Sequence, residues 1–219
     1  MSRFDNAREL VTHSEGRLVA IRNLHQKCLD EQVVTPTFLI EIKNFMENLR
    51  SALDYCAVAL FDKYGHSTKA APKIYFPYAK LTDDKSKFHS KIMESSIPGL
   101  LASRPDIVDK LESYQHFGNT GNWLPQFMEI TNENKHTQLT PQVQKQAQAV
   151  LISATIPPGG TLDIDLSNIP LGGGPDKPFQ AVAGVWTRLE FTTNGVPVLF
   201  LLEFALRNVG NMVNELASL

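Results

Sequence analysis

The apolar residues of the first 64 positions recur every three to four residues in two long stretches, which a short connection joins. This spacing predicts amphipathic helices over residues 4–29 and 36–64. Thr35 is a candidate N-cap, Pro36 fits the first helical position, and Gly65 can end the second helix. Two neighbouring helices with one apolar face each can bury those faces against one another, so we predict a long antiparallel hairpin.

The sequence pattern changes at Pro141. Shorter helices are predicted before this point, over residues 82–95, 105–114 and 123–131. Runs of β-branched residues broken by glycine and proline follow it, and they predict strands over residues 150–156, 162–166 and 182–193. A last apolar stripe predicts a helix over residues 197–219.

Together these elements predict an α+β fold. A long N-terminal antiparallel helical hairpin would lie within a helical bundle, followed by a small antiparallel sheet and a C-terminal helix. The helical region would cover residues 1–139, and the sheet with its closing helix would cover residues 140–219, packed as one unit with the first. A chain of 219 residues, 42% of them hydrophobic, can bury such a core without a disulfide or a metal.

The cysteines and the N-terminus bear on the cellular compartment. Cys28 and Cys56 fall on the apolar stripes and lack metal-ligand spacing. On the predicted hairpin they lie roughly 27 Å apart at ~1.5 Å per residue, so we expect two buried thiols and no disulfide. No signal-peptide pattern or long apolar stretch is present. We therefore expect a cytoplasmic protein without a membrane span, a metal site or a cofactor.

The net charge of −2 gives no general support for nucleic-acid binding, which needs a surplus of lysine and arginine on at least one face. One local exception runs from Lys63 to Lys91 and holds seven lysines against Asp83 and Asp84. The aromatic residues interleaved with these lysines are Tyr64, Tyr75, Phe76, Tyr78 and Phe88. This composition fits a stacking platform for a single strand, and it equally fits solvated lysines with the rings turned into the core.

The densest group of reactive side chains follows the helix that we predict to end at Thr131. It consists of Asn132, Lys135 and His136. Histidine titrates near neutral pH and a neighbouring lysine adds positive charge, so the pair can serve acid–base chemistry or hold a phosphate. The alternative interpretation is a polar loop in which Asn132 hydrogen-bonds the backbone.

The second helix carries polar residues beside its apolar stripe. Arg50 and Asp54 are four residues apart and can pair on one face. Such a pair fits a solvated face or a contact that fixes helix packing. If Arg50 instead faces Lys135 and His136 across a groove, the three form an anion site. The catalytic candidates are therefore His136, Lys135 and Arg50, and the ligand-binding candidates are Asn132, Asp54 and Asn48.

Three further patterns have weaker support. Arg8 and His13 show the Arg-x4-His spacing of a metal-independent ribonuclease, but chance supplies such a match, and a five-residue helical step places them about 140° apart. The glycine run that begins at Gly172 lacks the Gly-Lys-Ser/Thr ending of a phosphate loop. Asp163 and Asp165 alternate with apolar residues, which is typical of the outer face of a strand.

The segment Leu49–Tyr55, with the sequence Leu-Arg-Ser-Ala-Leu-Asp-Tyr, is followed much later by Asn132-x-x-Lys135-His136. This combination resembles a group of uncharacterised bacterial proteins whose all-helical part is similar in outline to HEPN-type bundles, over residues 1–140. For HEPN proteins, the resemblance implies RNA cleavage at a dimer interface, with arginine and histidine acting on the 2′-hydroxyl and the phosphate. The chain departs from that pattern because no arginine stands at the required distance before His136.

Two functions from different classes follow. The first is a non-catalytic binding or assembly protein that forms a homo-oligomer, a dimer through its helices, as the long hairpin and the near-neutral charge suggest. The alternative is a HEPN-like enzyme that processes RNA or another phosphate ester with His136, Lys135 and Arg50. The enzyme requires these three residues to converge on one cleft.

Overall fold

The computed structural model describes residues 2–118, 121–136, 142–154, 179–191 and 195–219, without the side chains of residues 134–136, 142–154 and 179–188. Most of the described chain is helical. The helices are α1 (Arg3–Glu31), α2 (Pro36–Tyr64), α3 (Lys85–Lys87), a π-helical turn (Phe88–Ile92), α4 (Met93–Ser96), α5 (Leu100–Ser103), α6 (Pro105–Ser113), α7 (Trp123–His136) and α8 (Val198–Ala217). The strands are β1 (Gln142–Ala154) and β2 (Phe179–Phe191).

Local capping sets the starts of the two longest helices. The Ser2 hydroxyl accepts a hydrogen bond from the Asp5 N–H, and the Asp5 carboxylate accepts one from the Ser2 N–H, so a reciprocal capping box begins α1. Thr35 accepts the Phe38 N–H at the start of α2, and Pro36 is its first residue. The bounds of both helices lie within two residues of those predicted.

Helices α1 and α2 pack along their length in opposite directions. An ion pair of 2.6 Å joins Arg3 to Asp62 near one end, and a second joins Arg17 to Glu41 further along. This order fits only an antiparallel pair. The buried residues between the two helices include Ala7, Leu18, Ile21, Ile42, Phe45, Leu49, Leu53 and Cys56. The apolar stripes read from the sequence are therefore the faces that the hairpin buries.

The predicted α+β fold class is wrong, because the described part of the chain is mostly helical. Helix α8 packs mainly against α1 and α2 instead of covering a sheet. Arg22 pairs with Glu203 at 2.8 Å, and the Arg8 Nε donates to the Asn214 Oδ1 at 3.4 Å. The buried stripe of α8, with Leu202 at its centre, thus completes a helical bundle around the hairpin.

The two strands form one antiparallel ribbon, and no packed sheet layer occurs among the described residues. The register runs from Gln142 opposite Phe191 to Ala154 opposite Phe179. Phe191 is fully buried, so the end of the ribbon is anchored in the helical core. The predicted strand at 162–166 lies outside the described residues.

A single apolar cluster joins the buried residues of α8 to those of α1, α2, α6 and α7. The expected division between residues 139 and 140 stays a prediction. Among the helices that the structure describes, none is both long and apolar enough to cross a membrane.

Candidate functional site

The contact between α2 and α7 contains a group of polar side chains that we call the Arg50 cluster: Arg50, Asp54, Tyr78 and Asn132. The Arg50 Nη1 donates to the Asn132 Oδ1 at 2.6 Å, and the Asn132 Nδ2 donates to the Tyr78 Oη at 3.0 Å. The Arg50 Nε lies 3.9 Å from the Asp54 Oδ2. Three segments that are far apart in the sequence therefore meet at one guanidinium.

Helical periodicity positions both ends of the Arg50–Asn132 contact. Arg50 lies between the buried Leu49 and Leu53, at the edge of the apolar stripe of α2. Asn132 follows the buried Thr131 and has the same edge position on α7. The Arg50 side chain is consequently only 19% exposed. Partial burial lowers the effective dielectric around the guanidinium, so its attraction for an anion exceeds that of a fully solvated arginine.

Two side chains hold the non-helical segment that carries Tyr78. The Phe76 N–H donates to the Asp54 Oδ1 at 2.8 Å, and the Ala79 N–H donates to the Gln115 Oε1 at 2.8 Å. Gln115 has no exposed surface. Because the backbone is bonded on both sides of Tyr78, the hydroxyl of Tyr78 is held in place beside Asn132.

A pocket of about 300 Å³ opens next to the Arg50 cluster. It is lined by Tyr78, Lys80, Leu81, Thr82, Pro125, Glu129 and Asn132. Lys80 brings a cation to this pocket and Glu129 brings a carboxylate. Tyr78 and Asn132 belong to both the pocket and the cluster, so a ligand in the pocket would contact the cluster directly.

Lys135 and His136 are placed by their backbone in α7. They follow Asn132 by three and four residues in the same helix, so they lie about one turn beyond it and share its side of the helix. The predicted polar loop at this position is therefore helical instead. Their side chains lie outside the described part of the chain.

Asn48 is the sequence candidate that the structure does not bring to the cluster. It lies two residues before Arg50, about 200° around α2, and is half-buried there. By contrast, Asp54 and Asn132 both contact Arg50. The predicted ion pair of Arg50 with Asp54 is present, and it also anchors the Tyr78 segment through the Phe76 N–H.

The Arg8 and His13 pattern does not form a site. Arg8 faces α8, where it bonds Asn214, and it lines a groove of about 570 Å³ between α1 and α8. His13 is exposed and does not line this groove. The interpretation of this spacing as coincidence stays a prediction.

Both cysteines are buried and unpaired, as predicted. Burial raises the pKa of the Cys56 thiol to about 12, since the thiolate would lose its solvation in the core. Cys56 is therefore a small core residue and is not a nucleophile.

The aromatic residues of the lysine-rich stretch have separate roles. Phe76 and Phe88 are buried in the core, and Tyr78 belongs to the Arg50 cluster. Tyr75 is 48% exposed. Of the two interpretations, burial is correct for the two phenylalanines, while Tyr75 stays accessible to a ligand.

Sequence reasoning missed the parts that Tyr78 and Gln115 play. Tyr78 follows Pro77 in an irregular segment, where no periodicity predicts which side chains face the bundle. Gln115 lies just beyond the end of α6 and gave no signal apart from being a polar residue. Its role depends on contacts with residues 36 to 38 positions away, which only the folded structure brings together.

Within the described residues, no group of three or more histidine, cysteine or acidic side chains is arranged to hold a metal ion. Asp163, Asp165 and the glycine run at Gly172 lie outside those residues. Comparison of the chain with protein-family models, curated proteins and solved structures found no significant match.

Proposed function

We propose that this chain binds a phosphate ester at the Arg50 cluster, and that the ester is an RNA phosphodiester cleaved with the help of Lys135 and His136. The observation that supports this proposal is the 2.6 Å contact between Arg50 and Asn132. It brings the guanidinium of α2 next to the helical turn that carries Lys135 and His136. The choice of RNA rests on the resemblance to HEPN-type proteins.

Arg50 suits the binding of the phosphate. A guanidinium has five N–H donors in a planar fork that matches two phosphate oxygens. Asn132 engages the Nη1, and the 3.9 Å distance from the Nε to Asp54 is longer than a direct hydrogen bond. The contacts of Arg50 with the described side chains involve its Nη1 and Nε, so the Nη2 is the nitrogen that we expect to face the phosphate.

The reaction that fits these residues is an internal transesterification. The 2′-oxygen attacks phosphorus while His136 accepts the 2′-hydroxyl proton, and the P–O bond to the 5′-oxygen breaks. The products are a 2′,3′-cyclic phosphate and a 5′-hydroxyl, whose oxygen takes up a proton from solvent water as it leaves. Arg50 and Lys135 would stabilise the charge that develops on the phosphate.

Cleavage of a labelled RNA by His136→Ala tests this role. We expect His136→Ala to lower the rate about 10²- to 10⁴-fold, the range for loss of a general acid or base. An RNA with a single 2′-deoxy substitution at the cleaved position should resist the unmodified protein. His13→Ala is the matched control, because it removes an exposed histidine from α1 and should cleave normally.

Two results would contradict the proposal. One is an unchanged rate in His136→Ala. The other is equal activity in Arg50→Ala and the unmodified protein, since Arg50 is the group that we expect to hold the phosphate. Arg50→Lys should recover part of the binding, because lysine keeps the charge but loses the fork of donors.

A second candidate is self-assembly through the hairpin. Val19 is 58% exposed and Ile40 is 46% exposed. They lie two residues and one residue away from the Arg17–Glu41 ion pair, so both occupy the same level of the hairpin. Burial of these two side chains against a second copy of the hairpin would favour a homodimer contact.

Light scattering over a range of concentrations tests the dimer. We expect the unmodified protein to be dimeric and Val19→Lys with Ile40→Lys to be monomeric. Asn23→Lys with Asn44→Lys is the control, because it adds the same two charges at exposed polar positions of α1 and α2. If the unmodified protein stays monomeric at high concentration, this assembly is ruled out.

A further inference from the structure

Another cavity lies away from the Arg50 cluster, between the loop that follows α2 and the segment that runs from the π-helical turn to the turn between α4 and α5. Its volume is about 850 Å³. We call it the lysine groove after the three cations that line it, Lys69, Lys73 and Lys91. All three are exposed, and none forms an ion pair with a described residue.

The charge in the lysine groove is strongly biased toward one sign. Glu94 is the only carboxylate that lines it, and its Oε2 accepts the Gly99 N–H at 3.4 Å. The remaining polar lining includes hydroxyl groups, from Ser67, Thr68, Ser90 and Ser95. The Ser90 and Ser95 hydroxyls donate to the backbone carbonyls of Ser86 and Ile92. Three cations without carboxylate partners, with the Ser67 and Thr68 hydroxyls beside them, suit a ligand with several phosphate oxygens.

Backbone contacts shape the groove. The His66 N–H donates to the Pro98 O at 2.9 Å, and the Tyr75 N–H donates to the Ser96 O at 3.4 Å. Gly99 has a φ of 78°, and a Cβ there would lie 2.7 Å from the His66 nitrogen. The two walls are therefore joined directly through the main chain, so the groove is an established part of the fold.

Tyr75 adds an aromatic surface close in sequence to the groove, whose lining in this segment ends at Lys73. It follows Lys73 by two residues, and its N–H donates to the carbonyl of Ser96, which follows the lining residue Ser95. Its side chain is 48% exposed. An exposed aromatic residue beside a row of unpaired cations is the combination that holds single-stranded nucleic acid, because the cations follow the phosphates and the ring stacks on a base.

We propose that the lysine groove binds single-stranded nucleic acid through its phosphates, with Tyr75 stacking on a base. The net charge of −2 is no obstacle, since the charge that matters is the local group of three lysines. The segment from Lys73 to Tyr78 also connects the groove with the Arg50 cluster. Five residues span at most ~18 Å, so one strand can reach both places.

Fluorescence anisotropy with labelled 12-nucleotide strands tests this proposal. The probes are DNA and 2′-O-methyl RNA, which lack a free 2′-hydroxyl, so binding is measured independently of any cleavage at the Arg50 cluster. Lys69→Gln/Lys73→Gln/Lys91→Gln should lower the slope of log K against log salt by about 2, at ~0.7 per lost phosphate contact. Tyr75→Ala should weaken binding about 5- to 150-fold, and Tyr75→Phe should retain it.

The matched control is Lys27→Gln/Lys43→Gln/Lys110→Gln, which makes the same change in charge on α1, α2 and α6. It should keep both the affinity and the salt slope. An equal loss in this control would show that binding depends on overall charge, and it would overturn the groove as the site. The proposal is equally overturned if the unmodified protein binds neither probe at low salt, or if Tyr75→Ala binds as tightly as Tyr75→Phe.

Discussion

Gln115 is the residue on which the position of Tyr78 depends, and Gln115→Met tests how strongly. Methionine has a similar length but no polar group that can replace the amide. The change removes the acceptor of the Ala79 N–H at 2.8 Å. It also removes the Nε2 group, which donates to the Pro77 carbonyl at 3.2 Å and to the Leu111 carbonyl at 2.9 Å.

The expected cost follows from the burial of these groups. Gln115 and Ala79 are both 0% exposed, so water cannot replace the lost bond to the Ala79 N–H. One unsatisfied buried donor costs about 1–3 kcal/mol, and each lost bond to a carbonyl adds about 0.5–1.5 kcal/mol. We therefore expect Gln115→Met to lower the free energy of unfolding by about 2–6 kcal/mol. For a chain of this size, each kcal/mol lowers the Tm by about 2–4 °C.

Urea denaturation followed by circular dichroism measures this loss. Gln26→Met is the matched control, because the Gln26 amide bonds only the exposed Asp30 carboxylate one turn away, at 2.8 Å. It should change stability by less than about 0.5 kcal/mol. If Gln115→Met were as stable as Gln26→Met, the hydrogen bonds of Gln115 would not hold the Tyr78 segment, and the reasoning would fail.

Three further predictions concern other parts of the fold. Hydrogen bonds from His89, and to a smaller extent from Lys85, lower the pKa of Glu112. The ionised carboxylate therefore stabilises the fold above the unfolded pKa of about 4.3, and this stabilisation is lost as the pH falls through the lower folded pKa. Glu112→Gln should thus be less stable than the unmodified protein at pH 7, with the difference shrinking as the pH falls below about 4.3 in urea titrations; a constant difference would contradict this. Cys56 should resist a thiol reagent at pH 8 until the protein unfolds, and rapid labelling of the native protein at Cys56 in a Cys28→Ala variant would refute its burial. Gly99→Ala should lower the free energy of unfolding by more than ~1 kcal/mol, because of its positive φ and its contact with His66, whereas Gly16→Ala, in open space on α1, should not destabilise the protein.

The helices were predictable because their signals are local. The stripe of α2 and the pair Thr35–Pro36 specify its face and its first residue without reference to the rest of the chain. The same reasoning did not predict where α8 packs. An apolar stripe shows that one face is buried, but it does not show whether helices or a sheet cover that face. The fold class was wrong for this reason.

The ribbon shows a second limit of local signals. The first half of β1, from Gln142 to Gln148, alternates glutamine with residues of mixed character and has few β-branched side chains. Local propensity therefore gave no indication of a strand before Val150. Pairing with β2, in the observed register, holds this half of β1 as a strand instead.

The site was partly predictable from residue chemistry. Arg50, Asp54 and Asn132 were selected as polar side chains beside apolar stripes, and the structure brings these three together. Their meeting depends on the packing of α7 against α2, across 82 residues of sequence. Tyr78 and Gln115 could not be selected in the same way, because irregular backbone has no period from which to infer a direction.

The shape of the lysine groove depends on the main-chain hydrogen bonds that join His66 to Pro98 and Tyr75 to Ser96, whereas its charge depends on side chains. Since the walls are held by N–H and carbonyl groups, the three lysines on them are available for exchange without loss of the framework. Lys69, Lys73 and Lys91 can thus be replaced in any combination to redirect the groove toward a different ligand, and mutational drift in this region would alter recognition before it altered folding.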